Sequence, residues 1–312
     1  EYRGINPRPR DFDRFWAEGL AEIKSIEPET AFVKAAVDLN GLDAENVYFT
    51  SAKGSRIRAL YVAPKDRTKK YPVMLLFHGY GGNSGSFFDK AAFAGQGYIV
   101  LAMDCRGQRG LSDNGVSVKG TEQTGLIMRG FDDPDPTNLY FRNVFLDTVQ
   151  LVKVAKSLPH ADPGRIYAHG GSQGGALTVA CAALCGGDIK KAGAVFPFLC
   201  DYQRVWAMDL AEHAYCDIKD YLRAYAPFEG KQAHVWEKLG YIDLQHLADR
   251  ISAEVLWATG LMDNICPPSS QFAAYNKIKA KKEMLLYTNH GHEGLPDLAD
   301  LMSGFFNAGT FQ

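Results

Sequence analysis

A serine set between glycines, Gly170-Gly171-Ser172-Gln173-Gly174, separates two runs of opposite character. Before it stands Arg165-Ile166-Tyr167-Ala168-His169, short and strand-like. After it comes Gly175-Ala176-Leu177-Thr178-Val179-Ala180-Cys181-Ala182-Ala183-Leu184, small, apolar and helical. The chain must pass from strand to helix within one sharp turn. A Cβ at Gly170 or Gly174 would meet neighbouring backbone in such a turn, and the serine between them is held in a strained conformation. The helix beginning behind Ser172 also offers free N–H groups to a developing negative charge. A serine presented this way has the geometry of an exposed nucleophile.

The rest of the chain repeats the same alternation. Val73–Phe77, Tyr98–Met103, Arg165–His169, Gly193–Phe196, Val255–Ala258 and Met284–Tyr287 are nearly continuous apolar runs separated by longer helical stretches. Such runs suit parallel strands covered on both faces, and their alternation with helices predicts a doubly wound α/β sheet. Residues 11–25 read as an amphipathic helix carrying Phe12, Phe15, Trp16, Leu20 and Ile23 near one face, either as a subunit interface or as intramolecular cover. Strands near 45–51 and 56–63 join at Lys53-Gly54 in a hairpin-like turn. Residues 201–250 are helix-rich and read as an insertion between two sheet strands. The expectation is one α/β domain over 1–312, with the helix and hairpin in 1–65.

Composition excludes more than it selects. A net charge of -2 over 312 residues gives no argument for nucleic acid or a membrane surface. The longest apolar runs are too short to span a bilayer, and no basic region leading into an apolar stretch opens the chain as a secretion signal would. The six cysteines (Cys105, Cys181, Cys185, Cys200, Cys216, Cys266) lack zinc or redox spacing and read as free thiols in a reducing cytoplasm.

Functional groups in open parallel sheets collect at the carboxyl ends of the strands. Ser172 follows one strand there. Thr259-Gly260-Leu261-Met262-Asp263-Asn264 follows a second, and Thr288-Asn289-His290-Gly291-His292-Glu293 a third. Nucleophile, acid and histidine thus come in the chain order of α/β-hydrolases. A serine hydroxyl needs a base to take its proton as it attacks. An imidazole supplies that base, and an ionised Asp fixes its tautomer. The assignment is Ser172 as nucleophile, Asp263 as orienting acid and His292 as base, with His290 a competitor two residues away. Asp104 also ends a strand but precedes the serine, so it is read as holding its loop by hydrogen bonds or pairing with Arg106. The oxyanion donors are the backbone N–H of Gln173 and one from the loop Phe77-His78-Gly79-Tyr80-Gly81-Gly82.

Arg106-Gly107-Gln108, Gly170-Gly171-Ser172-Gln173-Gly174-Gly175 and His292-Glu293 together resemble the signature motifs of carbohydrate esterase family seven, the acetyl xylan esterases and cephalosporin C deacetylases. Pro9–Trp16, Pro197–Cys200 and Gly260–Ser269 are similar as well, so the resemblance covers essentially the whole chain. It implies a triad of Ser172, Asp263 and His292, choosing the histidine that precedes Glu293. It implies oxyanion donors at Tyr80 and Gln173, and an acyl pocket shaped by Tyr80, Phe198 and Ile265. Arg106, Gly107, Gln108 and Glu293 belong to motifs that support the site. Also implied are small acetylated sugars as substrates, a hexameric ring, a cytoplasmic location, and no metal or cofactor. Arg109 and the charged segment Leu111–Gln123 depart from the family's pattern, and bear on the entrance and subunit contacts. Two other readings share the turn: a prolyl-oligopeptidase-like peptidase, which would bring a propeller or acids for a substrate amine, and a non-catalytic binding module.

Overall fold

Alternate residues of one strand show how the layers form. In Tyr71–Phe77 the side chains of Val73, Leu75 and Phe77 enter one apolar core, and Met74 enters another on the opposite face. A strand buried on both faces has no polar side, which is why it reads as a continuous apolar run. The computed structural model describes residues 2–120 and 125–308.

Among the described residues, nine strands form one sheet. They are β1 (Ala31–Lys34), β2 (Leu42–Thr50), β3 (Arg56–Pro64), β4 (Tyr71–Phe77), β5 (Ile99–Met103), β6 (Ala161–Gly171), β7 (Ile189–Val195), β8 (Glu254–Gly260) and β9 (Lys282–Tyr287). Their spatial order is β1-β2-β3-β5-β4-β6-β7-β8-β9. The first three pair antiparallel, as does β3 with β5, and every pairing from β5 through β9 is parallel. This is the mostly parallel, helix-flanked sheet expected from the alternation.

The helices are α1 (Phe12–Ser25), α2 (Phe87–Ala94), α3 (Tyr140–Ser157), α4 (Gln173–Leu184), α5 (Tyr202–Ala207), α6 (Cys216–Tyr225), α7 (Ala233–Leu239), α8 (Pro268–Tyr275) and α9 (Leu298–Asn307). The larger core takes residues from α1, α3, α4, α8 and the helical stretch between β7 and β8. The smaller one takes α2 and α9. Helix α1 buries Phe12, Phe15, Trp16 and Ile23 within the larger core, and Trp16 stacks on Phe145 of α3 at 6.0 Å. Its apolar face is intramolecular cover. The 201–250 stretch carries α5, α6 and α7 and enters the sheet again only at β8, as an insertion should.

Two differences from the sequence expectation stand out. Strand β1, Ala-Phe-Val-Lys, is not among the expected strands and all four of its residues are exposed; it pairs with β2 at the sheet edge. Strand β6 begins at Ala161, four residues upstream of the expected start, and runs through Pro163 and Gly164. Of the divergent segment 111–123, the last three residues lie outside the described residues. Up to Gly120 it is irregular chain, pinned where Asp113 N–H donates to Arg56 O and Gly115 N–H to Ser55 Oγ.

Candidate active site

The turn after β6 is as tight as its glycines imply. A Cβ on Gly174 would lie 2.1 Å from the Phe77 carbonyl oxygen, and one on Gly170 2.6 Å from the same atom. Ser172 sits at φ 57°, ψ -119°, outside the regions an L-residue favours. Strain of this kind costs on the order of 1–3 kcal/mol and must be held by its surroundings. The holders are visible: Ser172 N–H donates to Val195 O at 3.0 Å, and Ser172 O accepts from Ala176 N–H at 3.0 Å and Phe198 N–H at 3.1 Å.

Asp263 follows β8 and is nearly fully buried. Its Oδ1 accepts the N–H groups of Ile265 (2.9 Å) and Cys266 (2.8 Å). Both amides are therefore spent on one oxygen, which leaves Oδ2 facing His292 Nδ1 at 2.8 Å. With its Nδ1 proton given to Asp263, the imidazole presents Nε2 as the basic nitrogen. The ring also rests on Phe196, with centroids 4.3 Å apart. Phe196 is itself strained at φ 30° and touches the elbow, since a Cβ on Gly171 would meet its ring at 3.5 Å. His290 packs instead against Tyr287, with its carbonyl accepting Met262 N–H at 3.0 Å. Glu293 turns the loop by accepting Gly291 N–H at 2.9 Å.

The Ser172 hydroxyl stands beside the Cys266 thiol, and among the described residues it makes no hydrogen bond to His292. Catalytic hydrogen bonds are often unmade until substrate binds. Burial and the nearby Asp263 charge push the Cys266 thiol well above its ordinary pKa, so it stays protonated next to the serine. Sequence spacing did not single out Cys266. Its position three residues after Asp263 in the same loop was the available signal.

The loop Phe77-His78-Gly79-Tyr80-Gly81-Gly82 lies directly on the elbow. The amides of Tyr80 and Gln173 donate to no acceptor among the described residues, which leaves both free for a substrate oxygen. Gln108 clamps the two parts together. Its Oε1 accepts Gly81 N–H at 2.8 Å, and its Nε2 donates to Gln173 Oε1 at 2.8 Å and to the Tyr140 hydroxyl at 3.0 Å. His78, which the sequence shows only as part of the loop, is a second clamp. Its Nε2 accepts Cys105 N–H at 3.0 Å, which leaves Nδ1 to donate to Gly79 O at 2.7 Å. Burial pushes its pKa down, so the ring remains the neutral tautomer those two contacts need.

Arg106 is fully buried and does not pair with Asp104. Its Nε donates to Asp147 Oδ2 at 2.7 Å, and further nitrogens reach Asp147 Oδ1, Ser55 Oγ and Ala52 O. Asp104 pairs with Arg58 at 2.9 Å and accepts the amides of Ser84 and Leu111. The loop-holding role expected of Asp104 is therefore met, and the Arg106 pairing is replaced. A buried guanidinium needs a bidentate carboxylate, and Asp147 on α3 offers both oxygens. Tyr140 O–H donates to Arg106 O at 2.6 Å, tying this ion pair to Gln108 and so to the site.

Tyr80 and Phe198 meet edge to face at 5.4 Å. Phe198 is fully buried and also packs on Tyr215 at 4.5 Å, so it backs Tyr80, while Ile265 is half-buried in the loop after β8. Together the parts are a strained serine, an Asp-held imidazole, two free amides and an aromatic wall. That set can carry out acyl transfer.

Known proteins resemble this chain in sequence and in fold. The family model described as acetyl xylan esterase matches residues 1–308. The crystal structure of acetyl xylan esterase 1 from Thermoanaerobacterium sp. is similar with a TM-score of 0.95 and 43% identity, over 98% of this chain and 95% of that one. An acetyl xylan esterase from Paenibacillus sp. R4 follows at 0.93 and 34%, over 98% and 96%. Among curated proteins, an acetyl esterase of Xylanibacter ruminicola is 30% identical over 300 residues, 91% of this chain. The chain spans 63% of the length of that curated relative.

Proposed function

The chain belongs to the acetyl xylan esterase family, and from that membership we propose that it is a serine esterase removing acetyl groups from small acetylated carbohydrates. Ser172 attacks the acetyl carbonyl while His292 takes its proton. The tetrahedral oxygen is received by the amides of Tyr80 and Gln173, where one such donor is typically worth about 2.7–4 kcal/mol. His292 then returns the proton to the departing sugar alcohol. Water, activated by the same imidazole, releases acetate from the acyl-enzyme. The observation that carries this reading is Asp263 Oδ2 at 2.8 Å from His292 Nδ1, in the loops that follow the two strands beyond the elbow strand and β7.

The remaining expectations belong to the same proposal. The sequence forms one α/β-hydrolase domain, works as a homo-hexamer in the cytoplasm, and also accepts cephalosporin C, whose acetate sits on a small alcohol. The family resemblance supports these. Supporting association further, edge strand β1 exposes Phe32 (45%) and Val33 (51%), and an uncovered apolar edge favours pairing. No helix among the described residues is long and apolar enough to cross a membrane.

The acyl wall gives a measurable preference. Tyr80, braced by the fully buried Phe198, has little room to yield, and forcing extra methylenes against such a wall costs about 1–3 kcal/mol. The kcat/KM for 4-nitrophenyl acetate should exceed that for the octanoate by roughly a hundredfold. Equal values for the two esters reject a small acyl pocket. A peptide anilide run alongside should be left intact; its cleavage at a comparable rate points to a peptidase.

A further inference from the structure

Asp217 stands on α6, in the insertion, with no exposed surface. Its Oδ2 accepts Met128 N–H at 2.9 Å, while its Oδ1 has no partner among the described residues. Gly125 packs so closely that a Cβ there would lie 2.3 Å from the Asp217 carboxyl carbon. Two residues before Met128, the Leu126 N–H donates at 2.8 Å to the Tyr80 hydroxyl. The chain of contacts therefore runs from α6 to residues 125–128, on to the Tyr80 hydroxyl, and through that side chain to the Tyr80 amide.

Burying a carboxylate is costly even where the amides of Met128, Ile127 and the start of α6 favour its charge, and a fold needing only a spacer here would do better with an apolar side chain. Burial pushes the Asp217 pKa up to about 6, and the Asp217 charge helps to raise that of the Tyr80 hydroxyl, so the two groups are electrostatic neighbours. What the carboxylate supplies is a fixed acceptor for the 125–128 segment. That segment in turn fixes a tyrosine whose amide has no acceptor among the described residues and whose ring packs edge to face on Phe198.

We propose that Asp217 is a positioning residue for ester hydrolysis, acting through residues 125–128 and the Tyr80 hydroxyl to set the Tyr80 oxyanion donor and the acyl wall. This rests on the reading of Ser172 and Tyr80 given above. The role differs from simple bracing of the insertion, because its failure should appear in the transition state and in acyl selectivity.

The test uses Asp217→Ala, Asp217→Asn and Tyr80→Phe in the full chain, each checked for its circular dichroism and melting temperature. Asp217→Ala should lower kcat on 4-nitrophenyl acetate by roughly tenfold or more with KM little changed, since the displaced group acts on the tetrahedral oxygen. It should also shrink the acetate-over-octanoate preference. Asp217→Asn keeps a carbonyl oxygen for the Met128 amide and should recover most of the rate. Tyr80→Phe should reproduce the loss. Combining it with Asp217→Ala should do no further harm, because both remove one linkage.

A folded Asp217→Ala enzyme with unchanged kcat and unchanged selectivity overturns the proposal, as do losses that multiply in the double variant. If Asp217→Ala does not fold, Tyr80→Phe with wild-type kcat and selectivity overturns it alone. A Ser172→Ala control separates the two ideas. An active Ser172→Ala enzyme removes the underlying reading, whereas an inactive one beside unaffected Asp217 and Tyr80 variants removes only this inference.

Discussion

Ser172→Ala should lose kcat on acetyl esters by about a millionfold, the scale seen when a serine hydrolase is deprived of its nucleophile. The fold should survive. Alanine removes only the hydroxyl, and the three hydrogen bonds that hold Ser172 in the turn come from its backbone: N–H to Val195 O, and carbonyl to Ala176 and Phe198 N–H. The φ of 57° is as uncomfortable for alanine as for serine, so strain does not change and the melting temperature should move little. KM should stay near its wild-type value, because the oxyanion amides and the Tyr80 wall remain. A pure, folded Ser172→Ala enzyme keeping even a hundredth of the rate means that another group attacks the ester.

Asp263→Asn should cost about ten-thousandfold in kcat, the scale of losing the orienting acid in a triad. The local geometry says why the change is unforgiving. Oδ1 accepts two backbone N–H groups, from Ile265 and Cys266. An asparagine must keep its carbonyl oxygen there, so its NH2 is forced to face His292 Nδ1. Nδ1 then becomes an acceptor and the ring proton moves to Nε2, the nitrogen that has to receive the serine proton. Binding of substrate is untouched, so KM should change little. A folded Asp263→Asn enzyme within tenfold of wild type shows that Asp263 does not orient the base.

Much of the fold, and the loops that carry the candidate site, could be read in the sequence. Strands such as β4 and β5 are buried on both faces and so leave an uninterrupted apolar run, and functional loops follow their carboxyl ends by topology. Ser172, Asp263 and His292 stand out as candidates because each lies in a loop that follows a strand, although the strand before His292, Lys282–Tyr287, is not buried on both faces. The edge strand β1 is only four residues long and buries none of them, so its short apolar run is not recognisable as a strand. Its residues are held by pairing with β2, a relation between distant segments rather than a property of Ala31–Lys34. The ion pairs were hidden for the same reason. Arg106 and Asp147 are 41 positions apart, Arg58 and Asp104 46, and nothing in the local chemistry of Asp104 tells it to prefer Arg58 over the nearer Arg106. Asp217 and Met128, 89 positions apart, show the limit most clearly, because 201–250 reads in the sequence only as an insertion between two sheet strands, with no sign that it holds residues 125–128.

Exposure of the chain to a fluorophosphonate, followed by peptide mass mapping and an assay on an acetylated sugar, tests the central claim most directly. The reagent should add once per chain, to the peptide bearing Ser172, and acetate release should disappear in step with that addition. Acetate release that persists after Ser172 is fully modified, or modification at another residue that alone tracks the loss, contradicts the account.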